Sequence, residues 1–322
     1  MRIVFFGTSE FAVPILKVLL SLPKHSVELI ITQPDKKGTR GRKIFIPSPV
    51  KVYSNINCSN IHILQPKNIN TSLYAEIIRK ISPDIAIVAS FGQIISREIL
   101  ELSRLGYFNI HPSLLPKYRG ASPIAYAIFN GDNITGISIF RMTEKLDAGP
   151  IIAQKEFLIR SGITRGELEQ ELAELGAKVL IDILPKIESN TITEKIQNES
   201  LASYSPKITA KDCCINWHKT SQEIANLING LNPSPLGYTF WTGRKSPLRL
   251  NIIEAKEADE KNSKEAGSII SVSKNGICVQ CGRGQILITK LKPEGSREMT
   301  AQEFLNGYKI TTQHRLEDIH NS

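Results

Sequence analysis

The 322-residue sequence contains no run of about 18 apolar residues, so no segment reads as a membrane-spanning helix. Met1 and a single arginine precede only the short apolar stretch Ile3 to Phe6, too little for the core of a secretory signal, and a cytoplasmic location is expected. Cysteine is scarce. Cys58, Cys213, Cys214, Cys278 and Cys281 are odd in number and thinly spread, which excludes the disulfide framework of a small secreted protein. Cys278 and Cys281 form a lone CxxC, and the adjacent Cys213 and Cys214 cannot act as a second such pair, so no metal site is expected. The early "FFGTSEF" has one glycine rather than the full GxGxxG fingerprint and does not license a dinucleotide. Internal repeats and low-complexity tracts are absent.

A 41 % hydrophobic content is enough for a substantial core, and the length suggests two domains. Lys and Arg number 40 against 31 acidic residues, an excess of +9 that suggests attraction to a polyanion without saying which one.

Apolar β-like runs alternate with helix-like segments in the first part of the chain, the pattern of an α/β domain with a mostly parallel sheet. "RIVFFG", "VELIITQ", "DIAIVAS" and "GISIFRM" read as strands. Ser122 and Pro123 open a helix that Gly131 stops. Thr164 and Glu167 form a capping box for another, whose stripe of Leu168, Leu172, Leu175, Val179 and Ile183 runs until Pro185. From Glu188 to Lys207 the chain is polar without a sustained apolar period, which suggests a linker holding at most short structured pieces. Thr220 and Glu223 then cap a short helix bearing Ile224, Leu227, Ile228 and Leu231. "YTFW", "LRLNII", "SIISV", "GICVQ" and "QILITKL" follow as short strands, with Asn275-Gly276 as a hairpin signal, so a small antiparallel barrel or sandwich is expected. The expected division is 1–187, a linker over 188–207, and 208–322.

"FNIHPSLLPKYRGASPI" sets Asn109 and His111 two apart on a strand, on one face, while Phe108 and Ile110 point the other way. Pro112 ends the strand, and ligands of α/β sheets sit at such carboxyl ends. Polar residues there also serve simply to cap loop backbone. Downstream, "MTEKLDAGPI" places Asp147 before Ala148, Gly149 and Pro150, small residues that let backbone approach a ligand.

The order Asn109, His111, "SLLPKYRGASPI" and then "LDAGPI" resembles the formyltransferases that use 10-formyltetrahydrofolate. The resemblance implies an active site of Asn109, His111 and Asp147, a Rossmann-like first domain with helices on both sheet faces, an OB-like C-terminal barrel, and the reduced folate as co-substrate with no metal. It also implies folate contacts from Ser113, Leu114, Leu115 and Pro116, and from Phe91, Gly92 and Ile94 in "FGQIIS", where Ser96 replaces a usual proline. By hydrophobicity alone the leucine pair is equally well core. Lys117 and Arg119 either hold an anionic group or solvate the loop.

The residue types suit the chemistry. As an amine nitrogen attacks a formyl carbon, the oxygen gains negative charge, and a preorganised donor such as the Asn109 amide contributes roughly 3 kcal/mol in comparable acyl transfers. His111 can donate a hydrogen bond and, when protonated, neutralise that charge. Asp147 would orient His111 or accept the amine's proton.

The second substrate follows from another segment. "QPDKKGTRGRKIFIPSPVK" carries Lys36, Lys37, Arg40, Arg42 and Lys43 with no acid among them. On charge alone it is either a solvated loop or a mobile cationic one suited to the end of a nucleic acid. It resembles the substrate loop of those family members that formylate initiator methionyl-tRNA, with Arg40 matching the arginine that reaches toward the acceptor end. Residues 205–322 carry 16 Lys or Arg and 12 acids, consistent with a domain that tracks a phosphate backbone. A glycinamide ribonucleotide formyltransferase would leave this last third unexplained, a sugar-nucleotide one would not need the basic loop, and a noncatalytic tRNA or folate binder would not need Asn109, His111 and Asp147. A cytoplasmic monomer with folate and initiator methionyl-tRNA as partners is the expectation.

Overall fold

Continuous burial marks the central strands. β1 (Arg2–Gly7) buries every position after the first, and all of Ile85–Ala89 is inaccessible, as expected of parallel strands covered on both sides. The computed structural model describes residues 1–38, 45–243, 246–258 and 264–318. With β2 (Ser26–Ile31), β3 (His62–Leu64), β4 (Ile85–Ala89), β5 (Tyr107–His111), β6 (Ile134–Arg141) and β7 (Ile151–Leu158), β1 forms a seven-stranded sheet in the order β7-β6-β5-β4-β1-β2-β3. The five strands from β3 to β5 in that order run parallel; β6 pairs antiparallel with both β5 and β7.

Helices cover both faces of the sheet. On one, Val4 and Phe6 cluster with Ala75 and Ile78 of α1 (Ser72–Ile81). α2 (Pro123–Phe129) falls, but for Pro123, in a second compact unit, and α3 (Arg165–Glu188) lies from Glu169 onward on the opposite face of the sheet. A Cβ added to Gly176 of α3 would stand 2.9 Å from Ile110, so glycine lets the helix backbone settle closely onto β5.

Two details differ from the sequence reading. α3 continues through Pro185 to Glu188. Proline removes the N–H that the Ile181 carbonyl would accept, a loss confined to the last turn because the helix ends three residues later at Glu188. The buried stripe is also rotated. Leu168, Leu172 and Ile183 are buried as expected, but Leu175 and Val179 are only half-buried, and Ala177, Leu180, Leu184 and Ile187 extend the buried side instead.

The chain divides into two compact units. The first comprises Met1–Pro123, Ile134–Leu158 and Glu169–Pro206, the second Ile124–Asn133, Ile159–Leu168 and Lys207–Ser322. Within the second, α4 (Ser221–Leu231) begins with the expected capping box, Thr220 accepting from Glu223 N while Glu223 accepts from Thr220 N. Gly230 of α4 faces the Phe129 ring of α2, where a Cβ would leave only 2.5 Å. The strands β8 (Gly237–Trp241), β9 (Leu248–Glu257), β10 (Ile269–Ser273), β11 (Gly276–Gln280), β12 (Gln285–Pro293) and β13 (Leu316–Glu317) form an antiparallel sheet in the order β10-β11-β12-β9-β8-β13. The sheet curls into a half-barrel, and a bridge between Ser268 and Arg315 joins its two edges. The β10–β11 hairpin pairs Ser273 with Gly276, so it turns on Lys274 and Asn275, one residue before the Asn-Gly expectation. Ile224, Ile228, Trp241, Ile252, Ile288 and Phe304 fill the concave side. No helix among the described residues is long and apolar enough to cross a membrane.

Candidate active site

Three turns lie at the carboxyl edge of the parallel strands: residues 8–9 after β1, 90–96 after β4 and 112–121 after β5. Their backbone is pinned by side chains. Thr8 Oγ1 and Gln33 Nε2 both donate to Phe91 O at 3.0 Å, and Ser9 Oγ donates to Ser90 Oγ at 2.8 Å. Gln93 accepts from Ile69 N and donates to Pro66 O, while Asn70 donates to Ile94 O and accepts from Ser96 N. Phe91 itself turns into the core against Phe6, with centroids 5.2 Å apart. Gly92, at φ +84°, and Ile94, 69 % exposed, remain on the surface of this turn.

β5 delivers Asn109 and His111 on the sheet face opposite Ile110, as strand alternation requires. His111 is buried, with Nε2 2.9 Å from Tyr118 O. A carbonyl oxygen only accepts, so Nε2 carries the proton. Nδ1 then faces Asp147 Oδ2 at 3.8 Å, beyond direct hydrogen-bond reach. A neutral His111 accepts at Nδ1, and its protonated form donates there. The carboxylate is fixed from the other side, where Gly120 N donates to Oδ2 at 2.8 Å. Asp147 adopts φ +48° and Tyr118 φ +60°, conformations uncommon for residues with a side chain and frequent at functional turns. Asn109 is half-buried, and its side chain makes no hydrogen bond among the described residues. His111 and Asp147 are thus brought face to face from separate elements, with an uncommitted amide two residues back along β5.

The "SLLP" turn is equally well fixed. Ser138 Oγ donates to Ser113 O at 2.7 Å and accepts from Leu115 N, and Gln154 Nε2 donates to both Leu115 O and Ser138 Oγ. Ser113 and Leu115 are buried, Leu115 packing with Phe140 and Ile151, whereas Leu114 and Pro116 are half-buried. Sequence reasoning missed Ser138 and Gln154, which lie on β6 and β7 with no local signal of their role.

Lys117 is exposed, but Arg119 neither binds an anion at the surface nor solvates the loop. It is 1 % accessible and donates to Gln197 Oε1 at 2.8 and 3.1 Å and to both oxygens of Glu199 at 2.9 Å. Hydrogen bonds from Arg119 hold the Glu199 carboxyl below the usual range. A buried guanidinium is tolerable only with such full pairing.

Of the basic segment, Lys36 and Lys37 are exposed and pair in register with Ile46 and Phe45. Asp35 anchors the first of these two short strands, accepting from Lys51 Nζ at 2.8 Å and Gln65 Nε2 at 2.7 Å. Arg40, Arg42 and Lys43 lie outside the described residues. No cluster of potential metal ligands occurs among the described residues.

The arrangement suits acyl transfer to a neutral amine: one amide donor, one imidazole edge open to accept or return a proton, and one carboxylate to hold the resulting cation. Residues 1–184 match the family described as formyl transferase, and residues 207–309 match the formyl transferase C-terminal domain. The chain is 39 % identical over 311 residues to the methionyl-tRNA formyltransferase of Acetivibrio thermocellus, covering 96 % of this chain and 97 % of that protein. It is 40 % identical over 318 residues to the methionyl-tRNA formyltransferase of Ruminiclostridium cellulolyticum, covering 98 % and 99 %. Among solved structures, HypX of Aquifex aeolicus in complex with tetrahydrofolic acid superposes with a TM-score of 0.63 at 17 % identity, over 95 % of this chain and 47 % of that one. The sugar 3N-formyl transferase WlaRD gives 0.62 at 22 % identity, over 92 % and 99 %; at these identities the likeness is one of fold. The chain belongs to the formyltransferase family that its full-length relatives, the methionyl-tRNA formyltransferases, represent.

Proposed function

We infer that the chain transfers the formyl group of 10-formyltetrahydrofolate to the α-amino group of methionine on initiator methionyl-tRNA, giving N-formylmethionyl-tRNA for translation initiation. The carrying observation is identity of about two residues in five with methionyl-tRNA formyltransferases along the whole chain, including the C-terminal third. A sugar-nucleotide enzyme of the same fold shares far less of this sequence.

The chemistry belongs to residues 1–187. The Asn109 amide, which makes no hydrogen bond among the described residues, donates to the formyl oxygen as it gains negative charge. His111 takes the amine's proton at Nδ1, the edge not occupied by Tyr118, Asp147 stabilises the imidazolium so formed, and Nδ1 returns the proton to the folate nitrogen as its bond to the formyl carbon breaks. The reduced folate lies along the turns that carry Ser113, Leu114, Leu115 and Pro116 and Phe91, Gly92 and Ile94. Exposed Ile94 offers it an apolar surface, and Phe91, Ser113 and Leu115 support the backbone from within. Residues 208–322 and the basic segment of Lys36, Lys37, Arg40, Arg42 and Lys43 hold the tRNA. The protein acts as a cytoplasmic monomer.

The test is a competition. Purified protein given one formyl donor, charged initiator tRNA, glycinamide ribonucleotide and an amino-sugar nucleotide should formylate only the tRNA; preference for either small amine overturns this reading. Replacing Arg40 and Arg42 together by alanine should raise KM for tRNA and flatten the logarithmic salt dependence by about 1.5, the change expected on losing two phosphate contacts. An unaltered slope would remove the loop from the tRNA interface.

A further inference from the structure

The polar stretch that follows α3 has only short pieces of regular structure, yet it threads through the back of the active site. Lys195 exchanges two backbone hydrogen bonds of 2.8 Å with Ile151, just beyond the Asp147 turn. Two residues on, Gln197 Nε2 donates to Asp147 O and to Gly149 O, both at 2.8 Å. Its Oε1 accepts from Arg119, whose backbone belongs to the turn after β5. Ser203 then takes Tyr118 N on its hydroxyl and Arg119 N on its carbonyl. Ser205 Oγ donates to Tyr118 O and Arg119 O, and Ser205 O accepts from Ala121 N. Tyr118 O is the acceptor that orients His111, and Gly120 N is the donor that orients Asp147. Residues 195–205 therefore stitch together the two turns that set the His111–Asp147 pair.

Gln197 is the centre of this stitching. It is 5 % exposed, and its amide uses both ends: two N–H bonds to the Asp147 turn and an oxygen shared by two nitrogens of buried Arg119. The turn it holds is one the chain would not adopt freely. Asp147 sits at positive φ, and Gly149 packs so tightly on the Arg141 carbonyl that no Cβ could enter. A strained turn keeps its geometry only while its surroundings over-determine it, and Gln197 supplies two of the bonds that do so. Glu199, on the outer side, completes the pairing of the guanidinium.

We propose that Gln197, backed by Arg119, is a positioning residue for formyl transfer, holding the Asp147 turn so that the carboxylate stays opposed to His111 Nδ1. The stretch between the residues matched to the two family domains, 184 and 207, is then a working part of the active site. The proposal rests on the formyl-transfer reading and goes beyond it, since Gln197 touches neither substrate nor reacting atoms.

Gln197→Glu keeps the shape and strengthens the pairing with Arg119, but it sets an oxygen against the Asp147 and Gly149 carbonyls in place of two donors. We expect kcat to fall about 10- to 100-fold, the scale of a displacement near 1 Å at the reacting groups, while KM for tRNA and folate changes less than about 3-fold. A merely structural role would lower the melting temperature without this division between kcat and KM. A folded variant with kcat within about 2-fold of the wild type, or one whose loss lies in KM, overturns the proposal. Should Gln197→Glu not fold, Gln197→Asn is the second variant. One methylene shorter, it reaches Arg119 or the two carbonyls but not both, and the same kcat loss at steady KM is expected. If neither variant folds, Gln197 serves folding rather than positioning and the proposal falls. Wild-type protein assayed in parallel separates the two readings: active wild type with active variants rejects only the positioning role, and inactive wild type rejects formyl transfer and the proposal with it.

Discussion

Asp147→Asn should lower turnover by about 10²- to 10⁴-fold in protein that remains folded, the range over which positioned acid–base groups act. The substitution is close to isosteric, and the asparagine oxygen can still accept from Gly120 N, so the turn keeps its bond at 2.8 Å. What disappears is the negative charge facing His111 Nδ1. Without it the imidazolium formed when the amine surrenders its proton is stranded in a buried site, where charge is costly. The loss should fall on kcat, because the charge pair exists only after attack begins. His111→Ala should cost a similar factor, and the double variant little more than either alone, since the two residues act as a unit. Single-turnover rates with saturating charged tRNA and formyl donor, alongside a circular-dichroism melt, give the comparison. An Asp147→Asn protein within about tenfold of wild type would reject the pairing as the proton-handling device.

The second large effect is expected at Asn109. Asn109→Ala should reduce kcat by about 10²- to 10³-fold, or roughly 2.7–4 kcal/mol, the cost of deleting one oxyanion donor. Stability should hardly move, because the side chain is half-buried and bonds to nothing among the described residues, so its removal orphans no partner. That dissociation of rate from stability sets Asn109 apart from Ser138 or Gln154, whose loss would free the backbone of the "SLLP" turn. If Asn109→Ala lowers the melting point and the rate in parallel, the amide is structural.

The sequence reveals those features that local forces determine. Parallel strands such as Ile85–Ala89 are apolar throughout because both faces are covered, and the Thr220–Glu223 capping box is a local hydrogen-bond pattern written in adjacent residues. Asn109 and His111 could be put on one face by strand alternation alone. β7 carries little strand signal, since this edge strand alternates weakly and presents Gln154, Lys155 and Glu156 in succession. Pro185 misled because it lies within a turn of the end of α3, where one lost bond is cheap. The larger omission concerned Arg119 and Gln197. Their contact joins positions 78 residues apart, and nothing in a polar stretch announces that one glutamine faces inward. Burial, the property that assigns both residues their role, belongs to the folded chain. Arg40 and Arg42 are known from charge and from the resemblance of their loop; family membership, rather than periodicity, selects tRNA as the acceptor.

All five cysteine thiols are buried, and that of Cys281 is pushed up by its apolar surroundings to about 12. Cys58 belongs to the first compact unit and the other four to the second. Alkylating reagents therefore find little to modify until the chain opens, and their uptake becomes a built-in gauge. Mass-resolved labelling under rising urea would show whether Cys58 or the other four are modified first, and so which half of the enzyme loosens earlier.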